Sequence, residues 1–292
     1  MNSASQDRFR TRFVQRPPLR ARMHAGETLV GSFVFLPNPS IIEILAEAGL
    51  DFFIVDHEHA PKSWETIENM VRAAEVYGLP VVVRVHENTP QTILHALEVG
   101  AAGVAIPFVE SADDVQKAAL ASRYAPAGLR GTCTQTRAAR HGAFRKEYAA
   151  YAAAKNEDVV IIGLIESRKG VQNIEQILAV PGGVDAVLLG RADLANDMGK
   201  PGMSGDAEVV QASDAILAAV QRETARRPAG QAMSSITAIY GAGDVAHWRD
   251  RGCTIFVAPS ESSMLLDAAR AWRQDVGEVA NAKSRQIKET TR

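Results

Sequence analysis

Cysteine is almost missing from this chain. Cys133 and Cys253 are the only two in 292 residues, far apart and without a C-x-x-C partner. That excludes a disulfide framework and a thiolate zinc site, and it fits a reducing, cytoplasmic setting. Long apolar runs are missing too: none approaches the roughly 20 residues a membrane helix needs. Charge of one sign is not in excess, with a formal net charge of −2. Nothing in the overall balance therefore favours nucleic acid or an anionic membrane as a partner. No G-x-G-x-x-G or G-x-x-x-x-G-K-[ST] follows an apolar run, so nucleotide-binding folds lose support. There is no internal repeat and no low-complexity region.

What remains is an ordinary globular composition, 46% hydrophobic and 23% charged, at a length that suits one large α/β domain. Residues 1–24 hold six arginines (Arg8, Arg10, Arg12, Arg16, Arg20, Arg22) against one acid, Asp7. This reads as a basic solvated arm, with an organellar leader as the alternative. From there apolar runs alternate with amphipathic ones. Strands are expected at 31–36, 52–56, 80–85, 103–109, 159–165, 184–189, 231–234 (weakly) and 254–258. Helices are expected at 41–48, 64–77, 90–99, 111–123, 169–179, 207–226, 238–251 and 261–273. The strand runs are continuously apolar rather than alternating, the mark of strands buried on both faces. Eight such strand–helix units over residues 25–275 predict a single-domain α/β fold, a (β/α)8 TIM barrel, with a doubly wound open sheet as the alternative. Residues 276–292 form a polar tail. Residues 124–158 have a weaker pattern, as expected of an active-site loop, and carry Arg130, Arg137, Arg140 and His141, which close over the substrate or belong to a solvated loop or a subunit contact.

In a parallel barrel all strand C-termini lie on one face, where catalytic groups collect. The second strand ends in Asp56-His57-Glu58-His59, the third in Arg84, the fifth in Glu166 and the sixth in Gly190-Arg191-Ala192-Asp193. Ionisable groups ending separate buried runs are expected to be paired or functional. Glu166 and Asp193, with no His or Cys beside either, are hard oxygen donors suited to Mg²⁺ or Mn²⁺, with Co²⁺ as a further candidate. Two protein ligands leave positions for water and a chelating 2-oxo acid. The backbone around Gly190, Arg191 and Ala192 can hold its carboxylate. Arg84 can stabilise an enolate oxygen, unless it simply pairs with Asp56. His59, oriented by Asp56, can move a proton. No lysine ends a strand, which disfavours a Schiff-base aldolase. His86 is a further candidate. His24, His95 and His247 read as core or surface histidines, and Trp248 and Trp272 as packing residues.

Five ordered motifs, Asp56-x-Glu58-His59-Ala60-Pro61, Val82-Val83-Arg84, Gly128-Leu129-Arg130-Gly131, Ile165-Glu166-Ser167-Arg168 and Gly190-x-Ala192-Asp193-Leu194, resemble the HpcH/HpaI aldolase family. These are metal-dependent class II pyruvate aldolases of the 4-hydroxy-2-oxoheptanedioate and 2-dehydro-3-deoxyglucarate aldolase types. The resemblance implies a barrel with a divalent metal on Glu166 and Asp193, a His59–Asp56 dyad, and Arg84 on the keto or enolate oxygen. It implies cleavage of a 4-hydroxy-2-oxo acid to pyruvate and an aldehyde through an enolate at the metal. It also implies a homohexamer, a trimer of dimers that exchange C-terminal helices. Oxaloacetate decarboxylation or C–C ligation of the macrophomate synthase type is the enzymatic alternative, and a non-catalytic binding barrel is the other. The sequence departs from the family pattern at four places. His57 stands where glycine is common, Leu164 where a substrate-holding glutamine is common, Arg191 for proline, and Pro259-Ser260-Glu261 for GVD. His57 and Arg191 add positive charge for an acidic substrate, or face a neighbouring subunit.

Overall fold

The computed structural model describes residues 17–258 and 260–290, with side chains to 278. The arginines of residues 1–16 and Pro259 lie outside that part. Eight parallel strands close into one barrel in chain order: β1 (Leu29–Val34), β2 (Phe52–Asp56), β3 (Val81–Arg84), β4 (Gly103–Ile106), β5 (Val160–Ile165), β6 (Ala186–Leu189), β7 (Ser234–Ala238) and β8 (Ile255–Ala258). The helices are α1 (Leu19–His24), α2 (Pro39–Glu47), α3 (Trp64–Val76), α4 (Pro90–Glu98), α5 (Ala112–Ser122), α6 (Tyr148–Asp158), α7 (Arg168–Gln172), α8 (Ile174–Leu178), α9 (Arg191–Asp197), α10 (Ala207–Arg226), α11 (Ala242–Arg249) and α12 (Glu261–Thr290).

Side chains alternate across each strand, which divides the apolar residues into two cores. Phe52, Ile54, Val82, Ala105, Ile162, Leu164, Leu188 and Val257 fill the barrel interior. Phe53, Val55, Val83, Ile161 and Ile165 face the helices. This explains why the strands are continuously apolar: neither face meets water. Helix starts follow from local chemistry. Asn38, Ser63, Thr89, Ser111, Ser167 and Asp206 each accept a backbone N–H from the first turn of the helix that follows.

Several expectations are corrected. The seventh strand lies at Ser234–Ala238 rather than 231–234. Its polar residues hide it from a hydrophobicity reading, yet Ser234 and Ser235 are buried and donate to the carbonyls of Met23 and Gly252. The run after Gly190 is a helix, α9, not a loop, and the expected helix at 169–179 is divided at Asn173. Leu19–His24, counted with the arm in the sequence, is helical and closes the barrel floor. Leu19 and Met23 join the interior core, while Arg20 and His24 bind Asp185 at 2.7 and 2.9 Å. Residues 276–290 continue α12. Trp272, expected to pack, is 67% exposed, as are Leu265 (61%) and Leu266 (50%) on the same helix.

The segment 124–158 does not cross the catalytic end. Arg137 binds Glu75 and the carbonyl of Val99, and Ala138 donates to the carbonyl of Glu98. Arg130 is paired with Glu98 at 2.7 Å. Helices run antiparallel to the strands, so these helix ends mark the opposite face of the barrel. Within one protomer, Arg130, Arg137, Arg140 and His141 are therefore remote from the strand C-termini.

Candidate active site

The same alternation that fills the barrel places the polar groups. Phe52 and Ile54 point inward, so Asp56 does too. Val82 is followed by Arg84, and Ile162 and Leu164 by Glu166. These charged residues form the next layer above the apolar interior. Asp56 and Arg84 are direct partners in the β2–β3 register. Arg84 Nε and Nη2 each donate to Asp56 at 2.9 Å, a two-pronged fork. Burial opposes the charge on Asp56, but Arg84 and the backbone N–H of Glu58 outweigh it and hold the carboxyl below the ordinary range.

The Asp56 carboxylate is therefore not on the His59 ring. It accepts the backbone N–H groups of Glu58 and His59 at 3.0 and 3.3 Å and shapes the turn that carries them. The carboxylate nearest the ring is Glu58, with Oε2 3.7 Å from His59 Nε2 and 3.3 Å from Arg84 Nη1. Burial, against the pull of Arg84, holds the Glu58 carboxyl above its usual range. The His59 side chain is 55% exposed, open to an incoming molecule. Arg84 also lies over the Phe33 ring, 4.8 Å from its centroid.

Glu166 is 2% exposed, and its Oε1 accepts the Phe108 N–H at 2.7 Å. Phe108 has a φ of +46°, unusual for a bulky residue, and that turn aims its N–H at the acid. Burial, together with the charges of Asp193 and Glu58, pushes the Glu166 carboxyl up to about 7. Asp193 stands in the first turn of α9, which starts at Gly190. Gly190 is glycine for lack of space, since a Cβ there would lie 2.6 Å from Glu166 Oε2 and 2.5 Å from its Cβ. Gly190→Ala should consequently displace Glu166 and weaken Mn²⁺ binding about 10–100-fold, the usual cost of a disturbed supporting group. Calorimetric titration with Mn²⁺ tests this, and unchanged affinity would remove Glu166 from the metal set.

The donor chemistry fits a hard divalent cation. Glu58 and Asp193 both bear on Glu166, and Asp193 bears on Glu58; among the described residues the positive charges acting on Glu58 are Arg84 and His59, and on Glu166 Arg84. Among the described residues there is no ready cluster of three or more His, Cys, Asp or Glu. Mg²⁺ typically takes one or two carboxylates and completes its shell with water and substrate oxygens, so the pair Glu166 and Asp193 is a fitting protein contribution.

Other expected site residues lie elsewhere. Leu164 is 1% exposed and belongs to the packed interior, one layer below Glu166. The Arg191 guanidinium stacks on Trp248 at 4.4 Å and donates to the Ala238 carbonyl at 2.6 Å. Its charge is thus committed to the β7–α11 side. Ala192 is exposed beside it. His57 points outward against Trp64 and His86, with ring centroids at 4.5 and 5.0 Å. Lys62, Glu261, Phe108 and Glu58 were not singled out from the sequence. Two of them carried a signal: Glu58 by its place inside the second-strand motif, and Glu261 by its place in the Pro259-Ser260-Glu261 departure.

A family model described as HpcH/HpaI aldolase/citrate lyase matches residues 29–247. The chain belongs to this family. A hydroxypyruvate/pyruvate aldolase from Roseovarius nubinhibens is 33% identical over 260 residues, 88% of this chain and 96% of that protein. A 4-hydroxy-2-oxo-heptane-1,7-dioate aldolase from Escherichia coli is 34% identical over 210 residues, 72% of this chain and 78% of its own. The crystal structure of an HpcH/HpaI aldolase/citrate lyase family protein from Burkholderia cenocepacia superposes with a TM-score of 0.80 at 32% identity, covering 88% of this chain and 98% of that one. Family membership makes the chain a carbon–carbon lyase on a TIM barrel, as the strand-end motifs led one to expect. No helix among the described residues is long and apolar enough to cross a membrane.

Proposed function

We propose that this member of the HpcH/HpaI family is a divalent-cation-dependent aldolase that reversibly cleaves a 4-hydroxy-2-oxo acid to pyruvate and an aldehyde. The observation that carries the reading is the acid pair Glu166 and Asp193 at the ends of adjacent strands, beside the buried Arg84 and the open His59. Relatives named as pyruvate aldolases and 4-hydroxy-2-oxo acid aldolases support the substrate class. Glu166 and Asp193 would hold Mg²⁺ or Mn²⁺, which supplies a Lewis acid for the keto oxygen of the bound 2-oxo acid.

The chain's own groups do the rest. Of the five N–H donors of Arg84, three face Asp56 and Glu58, and two are left for the substrate's keto oxygen, where negative charge develops. His59 takes the proton from the substrate's 4-hydroxyl as the C3–C4 bond breaks, and returns a proton to C3 of the three-carbon product. The peptide N–H groups at the start of α9, from Arg191 to Asp193, face the substrate carboxylate. Arg191 contributes backbone only, and Leu164 shapes the floor. We further propose a cytoplasmic homohexamer, a trimer of dimers that exchange α12, whose exposed Leu265, Leu266 and Trp272 support burial against a second subunit.

The test is exchange of the pyruvate methyl protons in D₂O, followed by NMR. Exchange should require added Mg²⁺ or Mn²⁺, stop with EDTA and return on readdition of metal. Absence of exchange with metal present would sink the reading. Release of pyruvate from oxaloacetate faster than from any 4-hydroxy-2-oxo acid would replace it with a decarboxylase.

A further inference from the structure

The loop that carries Glu58 and His59 is closed by a pair of reciprocal hydrogen bonds. Lys62 Nζ donates to the Asp56 carbonyl at 2.6 Å, at the last residue of β2. The His57 ring meets the Lys62 carbonyl through Nε2 at 3.0 Å, so that nitrogen carries the hydrogen. Residues 56 and 62 are thus tied twice, with Glu58, His59, Ala60 and Pro61 held between them. Lys62 is only 9% exposed, a rare position for a lysine. Two carboxylates, Asp56 and Glu261, act on its ammonium, and Arg84 repels it.

Glu261, the first residue of α12, is 5% exposed and accepts the N–H groups of Phe35 and Leu36 just beyond β1, the former at 2.8 Å. Its other oxygen, Oε2, is buried with no hydrogen-bond partner among the described residues. The carboxylate is therefore oriented by the end of β1, within electrostatic reach of the Lys62 ammonium. The result is one cluster in which the end of β1 and the start of α12 lie around Lys62 and the loop bearing His59. Two of the places where the chain departs from its family's pattern, His57 and Glu261, belong to it.

We propose that Lys62 is a positioning residue: with its ammonium on the Asp56 carbonyl and its own carbonyl on the His57 ring, it fixes the loop that presents Glu58 and His59 to the substrate. It touches no reacting atom. Its work is to keep Glu58 between Arg84 and the His59 ring. The proposal rests on the aldolase reading for its catalytic consequence, but not for its structural one.

Two readouts separate the two. In Lys62→Met the side chain keeps its length and loses its charge and donor. Hydrogen exchange of the Glu58, His59 and Ala60 amides, measured by mass spectrometry, should accelerate at least about tenfold while the rest of the barrel is unchanged. Pyruvate methyl-proton exchange should fall about 10–100-fold, the range seen when a supporting residue is lost. Oxalate affinity in the presence of Mg²⁺ should stay within about twofold, because its ligands are untouched. Lys62→Arg should recover most of the rate. Unchanged loop exchange in a folded Lys62→Met overturns the proposal, and so does an equal loss of oxalate affinity, which would mark a general structural role. If Lys62→Met does not fold, His57→Phe, which removes the second tie, decides: faster loop exchange supports the clasp and unchanged exchange overturns it. A wild-type protein that exchanges no pyruvate protons, yet shows the faster loop in Lys62→Met, overturns the aldolase reading and leaves the clasp in place.

Discussion

Asp193→Ala should yield a folded barrel with essentially no cation-dependent turnover. The carboxylate of Asp193 makes no hydrogen bond or ion pair with any described residue, although it lies in the first turn of α9. Its charge raises the carboxyls of both Glu58 and Glu166, so in the absence of a cation it is a source of repulsion. Removing it costs the fold little and relieves that repulsion. The melting temperature without metal should stay level or rise. Catalysis should respond in the opposite direction. Loss of several kcal/mol of charge stabilisation at the developing oxyanion corresponds to a fall of about 10³-fold or more in kcat/KM. The measurement is retro-aldol turnover under saturating Mn²⁺ beside a thermal melt of the metal-free protein. Turnover close to wild type would remove Asp193 from the ligand set. A large fall in melting temperature would mean that the carboxylate has a structural partner. Glu166 is a less clean probe, because its carboxylate also anchors the Phe108 N–H, and its loss would disturb the β4 loop as well.

Asp193 was visible in the sequence for the same reason as Asp56, Arg84 and Glu166. Each ends or closely follows a mainly apolar run, and parallel strands buried on both faces leave little other place for charge. The parity of those runs also carries through: two residues beyond Ile54, Val82 and Leu164 the side chain again points inward. What the sequence could not reveal depends on distant contacts. Arg84 pairs with Asp56 because β2 and β3 are in register there, and that pairing takes Asp56 away from the His59 ring. Arg191 looks like a free charge beside the strand end until Trp248, on the helix of the next strand–helix unit, is found beneath it. Lys62 looks like a surface lysine until Glu261, almost 200 positions on, is brought beside it by closure of the barrel. The arginines after Tyr124 could not be placed at one end of the barrel from the sequence, since the destination of a long segment is set by the helix ends it crosses. The N-terminal helix was missed because Pro17-Pro18 reads as a break, although proline is well tolerated immediately before a helix.

His59→Ala should lower kcat by about 10²–10⁴-fold, the usual contribution of a positioned proton carrier. The fold should be nearly indifferent, within about 0.5 kcal/mol, because the ring is more than half exposed and its one close ionic neighbour is Glu58 at 3.7 Å. Its partners in the motif make poorer probes of the same step. Asp56 is completely buried, and Asp56→Asn would leave the Arg84 charge inside the barrel without its fork partner. Breaking a buried pair from one side costs about 3–5 kcal/mol, so a loss of activity there would report on stability before chemistry. His59 carries no such burden. If it moves the proton, pyruvate methyl exchange and retro-aldol cleavage should fall together, with KM nearly constant, since on the proposed reading the 2-oxo acid is bound by Arg84, the α9 N-terminus and a cation that Glu166 and Asp193 would hold. A change confined to KM would make His59 a binding group. The proton would then have to travel by another route, and Glu58, raised above its ordinary range and 3.3 Å from Arg84, is the acid best placed to provide it.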